Sequence, residues 1–162
     1  MATVLEVLAR DHKFFVSLTN GSYTTISGIN NFTWDESPGD ADARHFDDGG
    51  HAANLVVSRD ITVTLEGLKQ VDIATGTRDA GQALVDASMS GSKFGRNRIR
   101  YYKIEMNNGD PDTLTPIGHV IFQGSAKPSS TGGGNDDLMP WGAEINVYGR
   151  PVSASGVYAD LY

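Results

Sequence analysis

The 162-residue sequence contains no cysteine. That absence excludes disulfides, thiolate metal sites and a cysteine nucleophile. Long hydrophobic runs are also missing, and nothing approaches the roughly 18 consecutive apolar residues of a membrane-spanning helix. The stretch Met1-Ala2-Thr3-Val4-Leu5-Glu6 has no basic leader followed by a long apolar core. The expectation is therefore a chain made and folded in a cytosol, with no secretion step. Two glycosylation-like triplets, Asn20-Gly21-Ser22 and Asn31-Phe32-Thr33, then carry no meaning as acceptors. Basic residues are in the minority, 13 Lys and Arg against 20 Asp and Glu, which leaves a net charge of −7. A broad cationic face for gripping a nucleic-acid backbone is disfavoured by that balance. Solubility is the first reading of such a charge; an acidic surface would also repel DNA and let it slide past without sticking.

Glycine is abundant instead, with 19 residues gathered mostly in short clusters that read as turns. Residues 1–12 read as a leader or arm, with Val4, Leu5, Val7 and Leu8 too few to fix a helix. A period-two pattern starts at Lys13, where Phe14, Val16 and Leu18 alternate with Phe15, Ser17 and Thr19. Asn20-Gly21 predicts a tight turn into a second strand over residues 23–35. Residues 36–51 are acidic, carry one large apolar residue, Phe46, and predict a long loop reaching to residue 54. The next strand has two distinct faces: Ile61, Val63 and Leu65 against Thr62, Thr64 and Glu66.

One helix is expected, over residues 79–90, capped by Thr77 or Asp79 and ended by Gly91, with Ala80, Ala83, Leu84 and Ala87 as its apolar stripe. Strands are expected over residues 98–106, 116–126 and 143–148, the Gly-rich segment 131–137 being a connection. About seven strands with one short flanking helix, and no alternation of strand with helix, predict a mainly β fold of the sandwich or barrel class. The division is one domain over residues 13–150 followed by a C-terminal arm over 151–162.

No arrangement of residues reaches a catalytic or metal motif. His45, Asp47, Asp48 and His51 share one Gly-containing loop with no rigid frame to fix a coordination geometry. Asp110-Pro111-Asp112 lacks the other ligand positions of a calcium loop and reads as a turn. The glycines after Thr131 are not followed by the Lys-Ser/Thr of a phosphate loop. His12 and His119 stand alone. The expectation is no enzyme, no cofactor and no metal. Arg96, Arg98, Arg100 and Lys103 form the one basic cluster, interleaved with Tyr101 and Tyr102. Either it is a solvated strand face, or it is one half of a subunit contact that meets the acidic loop of a neighbour; stacking of RNA bases on the tyrosines is the third reading.

The order of parts resembles the tail tube protein, or major tail protein, of long-tailed bacteriophages. The resemblance covers residues 13–150 and rests on the first hairpin, loop 36–54 and the strand Asp60-Ile61-Thr62-Val63-Thr64-Leu65-Glu66-Gly67. It continues through Asp79-Ala80-Gly81-Gln82-Ala83-Leu84 and the hairpins with Gly-rich connections. It implies a β-sandwich or barrel with one helix, self-assembly into stacked hexameric rings, and a lumen through which DNA passes without specific binding. It further implies a place in the virion tail, assembly in the bacterial host cytoplasm, and other tail proteins such as tape measure and terminator as partners. On this resemblance Asp40, Asp42, Arg44, Phe46, Asp47, Asp48, Arg96, Arg98 and Arg100 are expected at contacts between subunits. Thr62, Thr64 and Glu66 are expected to face the lumen. A tube protein of a contractile or secretion-type injection system is one alternative, and a β-sandwich binding module for carbohydrate or a receptor is another.

Overall fold

A computed structural model describes residues 11–42, 54–109, 115–130 and 138–159. The chain order is β1 (His12–Ser17), β2 (Thr24–Ile26), β3 (Ile29–Asp42), β4 (Asn54–Leu68), α1 (Ala80–Met89), a 3-10 turn (Gly95–Arg98), β5 (Ile99–Asn107), β6 (Pro116–Ser130), β7 (Pro140–Val147) and β8 (Ser153–Gly156). The strands form one antiparallel network in the order β2-β1-β5-β6-β7-β4-β3, with β8 attached to β6.

Strand β6 is shared between two layers. Its first half pairs with β5 on one side and, at Gly118 to Ile121, with β8 on the other. Its second half, from Gly124, changes partner to β7. The network folds over at this change, so that β3 lies across β1 and β6. Phe14 of β1 meets Phe32 of β3 edge-on at 5.2 Å, and Trp34 of β3 meets Phe122 of β6 at 5.6 Å. Between the layers lie Val16, Val63, Leu65, Ile104, Phe122 and Ile145, all buried. The mainly β, sandwich-like architecture, with one α-helix among the described residues, is therefore as the composition and periodicity predict.

Several boundaries differ from expectation for identifiable reasons. β1 and β2 do form a hairpin, with Phe14 opposite Ile26, but residues 18–23 connect them and Gly21 has no positive φ. Ser17 closes this wide connection by bonding its hydroxyl to the carbonyls of Thr19 and Ser22. The expected strand over 23–35 is broken at Gly28. There φ is +78°, and the Gly28 carbonyl accepts the Leu68 amide at 2.9 Å.

The long loop is also shorter than predicted. Residues 36–42 belong to β3 and pair with β4 as far as Asp42 opposite Asn54. Acidic composition argues against burial, but a two-stranded ribbon needs none, because cross-strand hydrogen bonds satisfy its backbone. Pro38 is tolerated because β3 is an edge strand, paired on one side only. Residues 54–60 of β4 in turn pair with β3 alone, since β7 begins to support β4 only at Thr62. The ribbon thus runs about 20 Å beyond the sandwich, at roughly 3.3 Å per residue.

In the segment after Pro151, expected as a C-terminal arm, a short strand pairs with β6. Ser153 to Gly156 forms β8, and Gly118 and Gly156 allow the close approach: a side chain at Gly156 would sit 1.8 Å from the Ile117 carbonyl.

Helix α1 stands where predicted, its N-terminus capped by Asp79, whose carboxylate accepts the Gln82 amide at 2.8 Å. Its buried face is Gly81, Gln82, Val85 and Ser88, rotated from the predicted alanine stripe. Gly81 decides the rotation, because a β-carbon there would lie 2.2 Å from the Thr25 carbonyl. Gln82 is fully buried and fully used: its amide donates to the Ser27 carbonyl at 2.8 Å and the Leu68 carbonyl at 2.9 Å, and its oxygen accepts the Gln70 amide at 3.1 Å. One side chain thereby ties the helix to the β2–β3 corner and to the end of β4. Gln82→Leu leaves those three backbone groups unsatisfied and is expected to destabilise the domain by about 3 kcal/mol; an unchanged urea midpoint would show that water replaces the amide at no cost.

Candidate assembly surfaces

The strand β4 alternation places Ile61, Val63 and Leu65 inside and Thr62, Thr64 and Glu66 on the outer face of their layer. Cross-strand register fills the rest of that face. Asn31, Thr33 and Asp35 of β3 stand opposite Glu66, Thr64 and Thr62. Glu144 and Asn146 of β7 stand opposite Thr64 and Thr62, with Lys127 and Ser125 of β6 beyond them. None of these side chains is aromatic or aliphatic. Asn31 donates to Glu66 at 2.9 Å, and Lys127 pairs with Glu144 at 2.7 Å. Asp35, Glu66 and Glu144 outnumber Lys127, so the face is polar throughout and net acidic.

The outer face of the other layer has a different chemistry. Lys103 reaches over the Phe15 ring at 4.4 Å and bonds Glu105 at 2.7 Å. The His119 ring lies between the Ser153 and Ser155 hydroxyls, at 3.2 and 2.9 Å. Apolar and charged groups are mixed here.

The sequence-predicted contact residues are dispersed. Asp40 is exposed on the ribbon, and Asp42 pairs with Asn54 at the last described step of β3. Arg44, Phe46, Asp47 and Asp48 lie outside the described residues, as do His45 and His51. Arg96 is exposed in the 3-10 turn, and Arg98 donates to the Ala126 carbonyl at 3.2 Å. Arg100 is placed differently from the expected contact surface. It is 8% exposed, and its guanidinium turns inward to the carbonyls of Asn97 and Ile99 at 3.0 and 2.8 Å. Strand parity causes this, because Arg100 shares the inward face of β5 with Tyr102 and Ile104. Among the described residues no ion pair joins Asp40 to any of these arginines, and no group of three or more His, Asp and Glu side chains is placed to hold a metal ion.

Two features were not legible in the sequence. The first is a cluster at the helix: Asp86 accepts the Trp141 indole N–H at 3.0 Å and pairs with Arg78. Beside it Lys69, Met89, Pro128, Pro140 and Trp141 line an open groove of about 260 Å³. The second is a pinned loop after β4 that carries Ile73 fully exposed. Neither has a local sequence pattern, since each depends on elements far apart in the chain.

Inside the sandwich the Tyr102 hydroxyl has no hydrogen-bond partner of normal geometry among the described residues. Burial pushes its pKa up to about 12, with nearby Ser88 and Arg100 offsetting only part of the rise; burial raises Tyr158 to about 12 as well. An unfolded tyrosine ionises near pH 10. Between about pH 10 and pH 12 the unfolded chain therefore releases protons that the folded chain retains, and stability falls as pH rises through that window. Tyr102→Phe is expected to keep or gain stability at pH 7, by up to about 1 kcal/mol, and to lose less of it between pH 10 and 12. Thermal melts followed by circular dichroism across pH 7–12 measure both; a loss at pH 7 would mean that the hydroxyl is hydrogen-bonded after all.

No protein-family model matches the sequence, and no curated protein matches it. Solved structures do match the fold. The SPP1 tail tube, determined by solid-state NMR and cryo-EM, aligns over 93% of this chain and 80% of its own, with a TM-score of 0.62 at 12% identity. The tube-terminating cap of the anti-feeding prophage aligns over 97% of this chain and 95% of its own, with a TM-score of 0.62 at 11% identity. A chain of the native gene transfer agent virion aligns over 93% and 98%, with a TM-score of 0.56 at 14% identity. The fold is thus shared with the SPP1 tail tube, the gene transfer agent virion and the anti-feeding prophage cap. More particularly, this chain resembles the tail tube protein over nearly its whole length, as the order of its parts predicts.

Proposed function

We propose that this chain is the structural subunit of a phage tail tube. Copies assemble into rings, six to a ring, and the rings stack around a hollow lumen through which DNA passes during ejection. The observation that carries this reading is the whole-chain likeness to the SPP1 tail tube, and the physics of the surfaces agrees with it. Closed rings follow from head-to-tail contacts whose rotation divides a full turn. The outer edge of β3 carries unpaired backbone groups that a neighbouring strand completes.

On this reading the face built by Thr62, Thr64 and Glu66 lines the lumen. An acidic, hydroxyl-rich wall repels phosphates and gives the bases nothing apolar to stick to. The ribbon of residues 36–42 and 54–60 bridges to an adjacent ring, and its Asp40 and Asp42 meet Arg96 and Arg98 of a neighbour. Arg44, Phe46, Asp47 and Asp48 belong to the same bridge, whereas buried Arg100 supports the turn that presents the other two arginines. The place of the assembled protein is the virion tail, built in the bacterial host cytoplasm alongside tape measure and terminator proteins. A second reading, a tube of a contractile or secretion-type injection system, is favoured by the likeness to the anti-feeding prophage cap and keeps the same ring architecture with a different cargo.

Two experiments test these assignments. Ser37 and Asp60 face each other across the ribbon, so residues 38–59 can be replaced by a two-residue Asn-Gly turn. The shortened protein is expected to melt at the temperature of the parent and to form no stacked tubes in negative-stain electron microscopy; normal tubes would remove the bridging role. Glu66→Lys with Glu144→Lys reverses the charge of the proposed lumen. Tubes of this variant are expected to retain short duplex DNA on sedimentation at low salt while parent tubes do not, and equal retention would place the lumen on another face.

A further inference from the structure

The loop between β4 and α1 is held as a fixed shape. Val71 and Arg78 form a β-bridge, Asp72 donates its amide to the Thr77 carbonyl at 2.8 Å, and the Gly76 amide returns to the Asp72 carbonyl at 2.7 Å. The Asp79 amide bonds the Gln70 carbonyl at 3.0 Å, and the Asp72 carboxylate accepts the Ala74 amide at 2.8 Å. At the tip of this closed loop Ile73 is completely exposed and Val71 is about half exposed. An aliphatic side chain presented on a pinned loop differs from one on a loose segment, because docking it orders nothing further.

The groove beside Trp141 is the complementary feature. It is lined mainly by apolar atoms of Met89, Pro128, Pro140 and Trp141, and its about 260 Å³ exceeds the roughly 150 Å³ that accommodates a benzene-sized group. Loop and groove are adjoining but distinct surfaces: Asp79 caps the helix N-terminus beside the loop, Arg78 of the loop pairs with Asp86 in the groove wall, and Met89 and Ser90 border the groove's far end. The charges left over are complementary: Asp86 of the groove is already paired with Arg78, whereas Asp72 beside the knob and Lys69 at the groove have no ion-pair partner among the described residues. Backbone hydrogen bonding, chiefly from Ala74, holds the Asp72 carboxyl below the usual carboxylate range, so it is ionised at neutral pH.

We infer that Ile73 of one copy inserts into the Trp141–Met89–Pro128 groove of a second copy, with Asp72 against Lys69 of that copy, forming a head-to-tail contact. Because knob and groove are different surfaces, each copy gives one and receives one, the heterologous contact from which rings and filaments grow. The inference rests on the self-assembly reading and adds residues to it that lie away from the ribbon.

The absence of cysteine makes the test direct. A variant carrying Ile73→Cys and Ser90→Cys is expected to give, on mild oxidation, a ladder of dimers, trimers and higher species on non-reducing gels. An equimolar mixture of the two single variants should stop at the dimer. The Ile73→Cys variant alone should not cross-link, and efficient dimerisation of that single variant would replace the head-to-tail contact by a symmetric one. Ile73→Ser, at a site with no buried contact to lose, should leave the melting temperature unchanged and weaken assembly about tenfold or more. Tubes that form normally in Ile73→Ser, or a double-cysteine protein that assembles without a ladder, would overturn this contact and leave the tube reading standing. A chain that stays monomeric at high concentration would overturn both. Recovery of the groove filled by a segment of its own chain or by a small molecule would also count against the contact.

Discussion

Everything in this fold depends on β6 belonging to two layers at once. Its residues from Gly118 to Ile121 carry β8 and its residues from Gly124 carry β7, so the strand must bend and twist at the exchange. Gly124 makes the exchange possible: a side chain there would press to 2.4 Å against Ile145. Once β6 turns, β3 and β4 are carried across β1 and β5, and Trp34 and Phe122 close the space between them. The helix then seals one end through Gln82 and Gly81. Among the described residues its ordering draws on aromatic contacts and on backbone groups satisfied by a single amide.

The division of the outer surface follows from the same geometry. Strand alternation assigns Thr62, Thr64 and Glu66 away from the core, and antiparallel register then gathers their counterparts from three other strands into one continuous polar field. That field has no single author in the sequence. It exists because β3, β4, β7 and β6 are in phase, each contributing polar side chains at alternate positions. The opposite layer, with Phe15, Lys103 and His119, carries a different mixture, so the two sides of the sandwich are chemically distinct before any partner arrives.

What could be read from the sequence was what depends on neighbours along the chain. The two-faced strand at 61–66, the Asp79-capped helix and the strand at 98–106 all have a local periodicity or cap, and each was found in place. Ribbon residues 36–42 have the composition of a loop, and their order comes from pairing with β4, across a gap in sequence and without burial. Ser153 to Gly156 has the composition of a polar tail, and only Gly118 across from it explains why small residues are needed there. Arg100 has the identity of a surface charge, but its parity on β5 turns it inward. The groove at Trp141 joins a helix to two strand ends, a combination that no short window contains.

The pairing of Thr62 with Asn146, 84 residues apart, has a kinetic meaning. The long β3–β4 hairpin can close on its own early, whereas the strand that anchors it in the sandwich is synthesised much later. For that interval the chain carries a formed ribbon with two bare edges, the state in which strands of different molecules pair wrongly. Pro38, which has no amide hydrogen to donate, interrupts one of those edges. A feature that makes the ribbon a poor core element thus also limits mispairing before the fold is finished.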